Sequence, residues 1–201
     1  TTFTNPDWQC GDTLVDTRDG NTYSTVQIGE QCWIAENLSY LPSVSPSSQG
    51  STTDPYYYVY DYQGNSVSSA KSTSNFQTYG VLYNWPAAII ACPDEWHLPI
   101  NEDWAILTDY LSSQPEYLCD SNQSYIAKSL ATTTNWQSST ALCAIGNNQS
   151  GNNATGFSGP PGGLRSTSDG SFGNLTYACY WWTNTHYSAS YVWYKQLSHA
   201  N

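Results

Sequence analysis

Val26-Gln27-Ile28-Gly29-Glu30-Gln31-Cys32-Trp33-Ile34-Ala35-Glu36-Asn37-Leu38 decides how this chain folds. Upstream and into it, residues 22–28 alternate, with Tyr23, Val26 and Ile28 set among Thr, Ser and Gln. A period of two describes a half-buried strand. Gly29-Glu30 supplies a tight turn, residues 31–35 return, and Asp19-Gly20 makes the turn before, so the expectation is a β-hairpin.

Moving outward, residues 42–53 form a Ser/Thr/Pro/Gly run without periodicity, and a surface loop is expected there. Residues 56–62 carry five tyrosines with Val59 and Asp61, a strand by propensity, and 63–74 read as a second polar loop. Tyr79-Gly80-Val81-Leu82-Tyr83-Asn84-Trp85 leads into a short helix over 86–91, with Pro86 in its first turn and Cys92-Pro93 ending it. The clearest helix is 101–111. There Asn101 caps, Glu102 and Asp103 occupy the turn where the helix dipole favours acids, and Trp104, Leu107 and Leu111 share a face expected to be buried. A second short helix is expected over 125–131. Beyond it, 132–158 is polar, with Trp136 as its main apolar anchor. Gly162-Gly163 and Asp169-Gly170 mark turns, and 178–183 and 191–197 read as aromatic strands. The sum is an α+β domain: small antiparallel sheets, two helices and long irregular loops. One domain is expected over 1–201, with 1–15 as an N-terminal extension.

Composition speaks to compartment. The 201 residues include six cysteines, nine tryptophans, seventeen tyrosines and no methionine. An even cysteine count without CxxC spacing reads as disulfides of an exported protein rather than as a zinc or redox site. Sixteen acids against five bases give a net charge of −11, which disfavours nucleic acid and anionic lipid as partners. No stretch approaches the roughly 20 apolar residues that span a bilayer. The start at Thr1, without initiator Met or leader, reads as a processed chain located outside the cell or on a bacterial surface.

The motifs resemble the Fibrobacter succinogenes major paralogous domain, a family of secreted and surface modules of bacteria. The resemblance is carried by Asp19-Gly20-Asn21-Thr22-Tyr23, by the opening stretch, by Tyr79 to Trp85, by Cys92-Pro93 through Trp96-His97-Leu98-Pro99, and by Glu102, Trp104 and Leu107. It continues in Thr155-Gly156-Phe157, Pro161-Gly162-Gly163, Arg165, Asp169-Gly170-Ser171-Phe172 and Trp181-Trp182-Thr183. Asp94-Glu95 departs from a usual small residue and Gly, and Gly159-Pro160 from a more apolar pair. The resemblance implies a C-type-lectin-like fold, a scaffold also used by formylglycine-generating enzymes, whose chemistry relies on reactive cysteines.

Cys10 and Cys32 bracket the first hairpin, Cys119 and Cys143 bracket the most irregular segment, and Cys92 and Cys179 remain; this is the favoured set among the connectivities open to six cysteines. With all six paired no thiolate is available, and no catalytic residue is expected. His97, His186 and His199 lack metal-ligand spacing, and His97 is expected to be buried and hydrogen-bonded. Calcium would suit the scaffold, through Asp169 with Asn174 or Asp61 with Asn65, but no EF-hand loop occurs and these read as turns, so no cofactor is expected. Tyr56, Tyr57, Tyr58, Tyr187 and Tyr191 fall beside loops as candidate contacts for carbohydrate or a partner. Asn37, Asn122, Asn148, Asn153 and Asn174 head sequons and are candidate glycosylation sites. The function expected is a non-catalytic structural or self-assembling surface module, such as a subunit of an appendage or filament, partnered by its own copies or by other surface proteins. The alternative is a carbohydrate-binding or adhesive lectin-like domain.

Overall fold

Residues 7–200 are described by the computed structural model of the chain. Its first strands, β1 (Leu14–Val15) and β2 (Thr22–Tyr23), pair antiparallel across a turn closed by the Gly20 amide donating to Asp16 O. The hairpin expected from the alternation follows as β3 (Thr25–Ile28) and β4 (Gln31–Ile34), in register from Thr25 opposite Ile34 to Ile28 opposite Gln31. Gly29 turns it with φ +61°, a conformation that suits a residue without Cβ. Strand β5 (Tyr57–Tyr58) is shorter than the tyrosine run and pairs with β6 (Leu82–Tyr83).

The polar stretch between those two strands is not a loop. It forms α1 (Val67–Lys71) and α2 (Ser74–Tyr79), capped by Ser66 and Thr73, whose hydroxyls accept from the Ser69 and Phe76 amides. Ser and Thr at the N-cap satisfy otherwise orphaned amides, and buried Ala70 pins α1 to the core. Helix α3 (Trp85–Ala91) starts from an Asn84 cap with Pro86 in its first turn. Helix α4 (Asn101–Ser113) buries Trp104, Leu107 and Leu111 as expected. Its cap differs: Ile100 is the N-cap, and the Asp103 carboxylate accepts from the Ile100 amide at 2.9 Å. Helix α5 is brief (Ala127–Leu130). Of the five α-helices among the described residues, α3, α4 and α5 fall on the three helical segments expected from the sequence, and α1 and α2 are additional, because short capped turns carry too little periodicity to be seen in sequence. The chain ends in β7 (Gly162–Arg165), β8 (Phe172–Leu175), β9 (Ala178–Ser188) and β10 (Tyr191–Ser198). All five sheets among the described residues are two-stranded and antiparallel.

Such small sheets cannot enclose a core alone, and two apolar clusters hold the elements together. One gathers Ile28, Trp33, Trp104, Leu107, Ile145, Phe157, Cys179 and Leu197; the other gathers Leu41, Val44, Tyr57, Val59, Val81 and Ala87. The loops between are clamped by cations. Arg18 holds Asp16 in a bidentate pair (2.8 and 2.6 Å) and also donates to Ile90 O and Ala91 O, satisfying the end of α3. Arg165 donates to Ser47 O and Gln49 O, and Lys128 to Ala144 O and Asn147 O.

Disulfides join Cys10 to Cys32 and Cys119 to Cys143, closing loops whose cross-linking stabilises by about 3 kcal/mol each. The third expected bridge does not exist: Cys92 and Cys179 are both free. Cys179 belongs to the core cluster around Trp33 and Trp104, whereas Cys92 follows α3 in the neighbourhood of Tyr83 and Arg18. Packing separates them, and elimination among six cysteines could not register that.

The unusual Glu95 has a consequence in the backbone. It sits at φ +72°, the left-handed region that glycine adopts without cost. Gly159 is also constrained, since a Cβ there would lie 2.9 Å from the Trp181 ring.

Two predictions follow from this packing. Replacing Glu95 by Gly stabilises the fold by about 1 kcal/mol, read as a raised thermal midpoint. Arg18→Met leaves the Asp16 carboxylate, 1% exposed, without its cation and costs about 3 kcal/mol in urea unfolding at pH 7. The Arg18 hydrogen bond lowers the Asp16 pKa in the folded protein. Its stabilisation is therefore complete above the unfolded value near 3.8 and is lost as pH falls through the folded value, so the gap between wild type and variant narrows on acidification.

Candidate binding surface

The surface most unlike an ordinary protein exterior is the β9–β10 hairpin. Its base is anchored. Cys179 and Leu197 lie opposite each other in the core, Trp182 Nε1 donates to Tyr83 O at 2.9 Å, and Trp85 Nε1 donates to Thr183 O at 3.1 Å. Further out, the Asn184 amide donates to Pro99 O and Thr185 Oγ1 accepts from the Asn101 amide. Register shifts at Tyr191/Val192 and Val192/Tyr194 twist the outer half, which carries Tyr187 (67% exposed), Tyr191 (68%), Trp193 (44%) and Tyr194 (52%). These rings touch mainly one another: Tyr187 meets Trp193 edge-on at 4.9 Å, and Tyr194 meets Tyr180 at 5.8 Å. Strand β10 pairs only with β9, so its other edge has no strand partner among the described residues. Exposed aromatics here lie beside an open strand edge.

Charge supports the same location. Residues 1–120 hold fifteen acids and two bases, whereas 121–201 hold one acid, Asp169, and three bases. The aromatic hairpin contains no acid at all. The overall charge of −11 conceals this asymmetry, and counting by halves would have exposed it.

The other tyrosine candidates separate from this surface. Tyr57 and Tyr58 are buried (5% and 2% exposed), Tyr58 OH donates to Gln49 O, and Arg165 lies over the Tyr58 ring at 5.0 Å. Burial raises both phenol pKa values. Tyr56 is half-buried, stacked on Tyr58 at 6.3 Å. Tyr57 belongs to the second core cluster, and the 42–53 loop is bonded to this strand through the Ser45 amide donating to Tyr57 O and Tyr58 OH donating to Gln49 O. Tyr187 and Tyr191 are both exposed near the hairpin tip, and Trp193 and Tyr194 are exposed beyond the two tyrosines that the sequence singles out.

The chemically reactive groups do not converge. Burial pushes the Cys92 thiol up to about 11 and the Cys179 thiol higher still, so both are held protonated at neutral pH. His97 is exposed rather than buried, with Nε2 at 3.2 Å from Asp103 Oδ2; its partner follows from the Ile100 cap geometry. His186 packs on Trp85 and His199 on Tyr177. Among the described residues no three His, Cys, Asp or Glu side chains are grouped to hold a metal. Asp169, named for calcium, accepts from Ser171 N and Oγ inside its own turn, and hydrogen bonds from Ser166 first and then Ser171 hold its carboxyl down at about 2. Asn174 donates instead to Tyr180 OH. Asp61 and Asn65 are both exposed, Asp61 with φ +62°.

The sequons divide as well. Asn37 donates its side-chain amide to Tyr79 O, Asn153 to Ser158 Oγ and Asn174 to Tyr180 OH. Asn122 and Asn148 are exposed, and each accepts through Oδ1 from its own sequon serine, from Ser124 N and Ser150 Oγ.

With fold and surface in place, the comparison with known families is specific. The Fibrobacter succinogenes major domain model matches residues 26–200, and the chain belongs to that family. No curated protein and no solved structure matches it. No described helix is long and apolar enough to cross a membrane.

Thiol titration checks the cysteine chemistry: without reductant, the native protein reacts slowly or not at all at pH 7, and the unfolded chain yields two thiols. A count of zero in denaturant would restore the third bridge.

Proposed function

We propose that this domain is a non-catalytic module of the bacterial exterior that joins a second copy of itself or another surface protein through the outer half of the β9–β10 hairpin. One observation carries the reading: Tyr187, Tyr191, Trp193 and Tyr194 are each exposed on one acid-free strand pair with an open edge. Burying such side chains contributes about 2 kcal/mol each, and strand addition along β10 supplies register. The acid-rich 1–120 portion of a neighbour is repelled least by this surface, which favours head-to-tail contacts over like-to-like ones. Head-to-tail contacts that do not close build filaments.

Two disulfides support a location in an oxidising compartment, and the protonated, buried thiols support a non-catalytic role. Small sheets, helices and long clamped loops support the C-type-lectin-like description of the fold. On the same reading Asn122 and Asn148 are the glycan acceptors, since their side-chain nitrogens are not engaged. Carbohydrate contact at Tyr187 and Tyr191 is the second reading, favoured by their exposure beside Ser188 and Ser190.

Sedimentation velocity and negative-stain microscopy test the main reading. The wild type forms oligomers or fibres as concentration rises, and Tyr187→Ser with Trp193→Ser leaves a 22 kDa monomer whose stability changes by less than about 1 kcal/mol. A wild type that stays monomeric at high concentration overturns self-association; a glycan array that binds wild type and not the double variant moves the assignment to the sugar reading.

A further inference from the structure

Cations are scarce in this protein, and their employment is informative. Arg18, Lys128 and Arg165 are spent on backbone carbonyls, and Lys71 faces Asp19 at 3.8 Å. The ammonium of Lys195, the fifth, has no hydrogen bond or ion pair among the described residues. It stands opposite Trp181 in the β9–β10 register, on the wall of an open groove of about 740 Å³. Asn101, Ala105 and Thr108 of helix α4 line that groove together with residues 124–127 and 141–143.

The lining has a definite chemistry. Tyr125 and Trp181 offer aromatic surface, Thr108, Ser124 and Gln196 offer hydroxyls and an amide, and the buried Asn101 Oδ1 has no donor. An unpaired ammonium seeks an anion, an unpaired amide oxygen seeks a hydroxyl, and aromatic walls favour a flat face of C–H groups. A fatty acid would leave the amide oxygen unmet, and a neutral sugar would leave the ammonium unmet. We infer that this groove binds an acidic sugar, a hexuronate unit of a polysaccharide, with its carboxylate on Lys195 and its ring against the aromatic lining. This site is separate from the hairpin tip and does not depend on whether copies associate.

Calorimetric titration of the full chain with trigalacturonate and with neutral galactotriose, at low and at high ionic strength, tests it. The acidic trimer binds, the neutral one does not, and salt weakens the interaction. Lys195→Met lowers affinity by at least about tenfold, and Ala105→Phe, which fills the groove from α4, abolishes binding. In the wild type alone, hydrogen exchange slows on ligand addition at residues 124–130 and 195–197. The inference is overturned by absence of binding, by equal affinity for the neutral trimer, by protection elsewhere, or by unchanged affinity in a folded variant. Binding of an aspartate-rich peptide in place of the sugar also overturns it and assigns the groove to a protein partner. Sedimentation of the same samples reports self-association independently.

Discussion

Trp33, Trp104, Phe157 and Trp181 meet ring against ring, with centroids 5.0 to 6.1 Å apart. Each comes from a different part of the chain: β4, α4, the irregular stretch before β7, and β9. No sheet among the described residues exceeds two strands, so sheet pairing does not join these parts into one layer, and the aromatic cluster packs them together. Tilted and edge-on aromatic contacts add to their area of burial, and their geometry fixes the angles at which the elements meet. Gly159 follows from the same constraint, since only a residue without Cβ leaves room for the Trp181 ring.

Rigidity around that cluster comes from charge used sparingly. Arg18, Arg165 and Lys128 reach back to carbonyls more than ten residues away, where loops would otherwise leave polar backbone unmet. Polar, weakly charged loops are thus ordered by a few long-range donors, with two disulfides closing the rest. Such a frame can hold a hairpin that has more aromatic surface than it needs for its own folding. The inner half of β9–β10 is anchored in the core and the outer half carries exposed aromatic rings, and the division falls where the register shifts begin.

This division also explains how the sequence misled. Tyr56, Tyr57 and Tyr58 look like Tyr187 and Tyr191 in composition and in loop proximity. The first group is covered by the 42–53 loop, which Arg165 pulls down by donating to Ser47 O from a distance of 118 residues in the chain. Nothing local encodes that cover. His97 differs for the opposite reason, since its imidazole lies exposed and meets the same Asp103 carboxylate oxygen that caps the Ile100 amide.

By itself the sequence determined the family, the α+β class, the first hairpin, helix α4 with its buried face, and two of the disulfides. Period-two alternation, helical spacing and short sequence separation are local signals, written in neighbouring residues. Tertiary structure alone decided that Cys92 and Cys179 lie in different surroundings, which tyrosines face water, and which lysine remains without a partner. Each of those depends on what a distant segment places over the residue, and burial is a property of the packed chain rather than of the side chain.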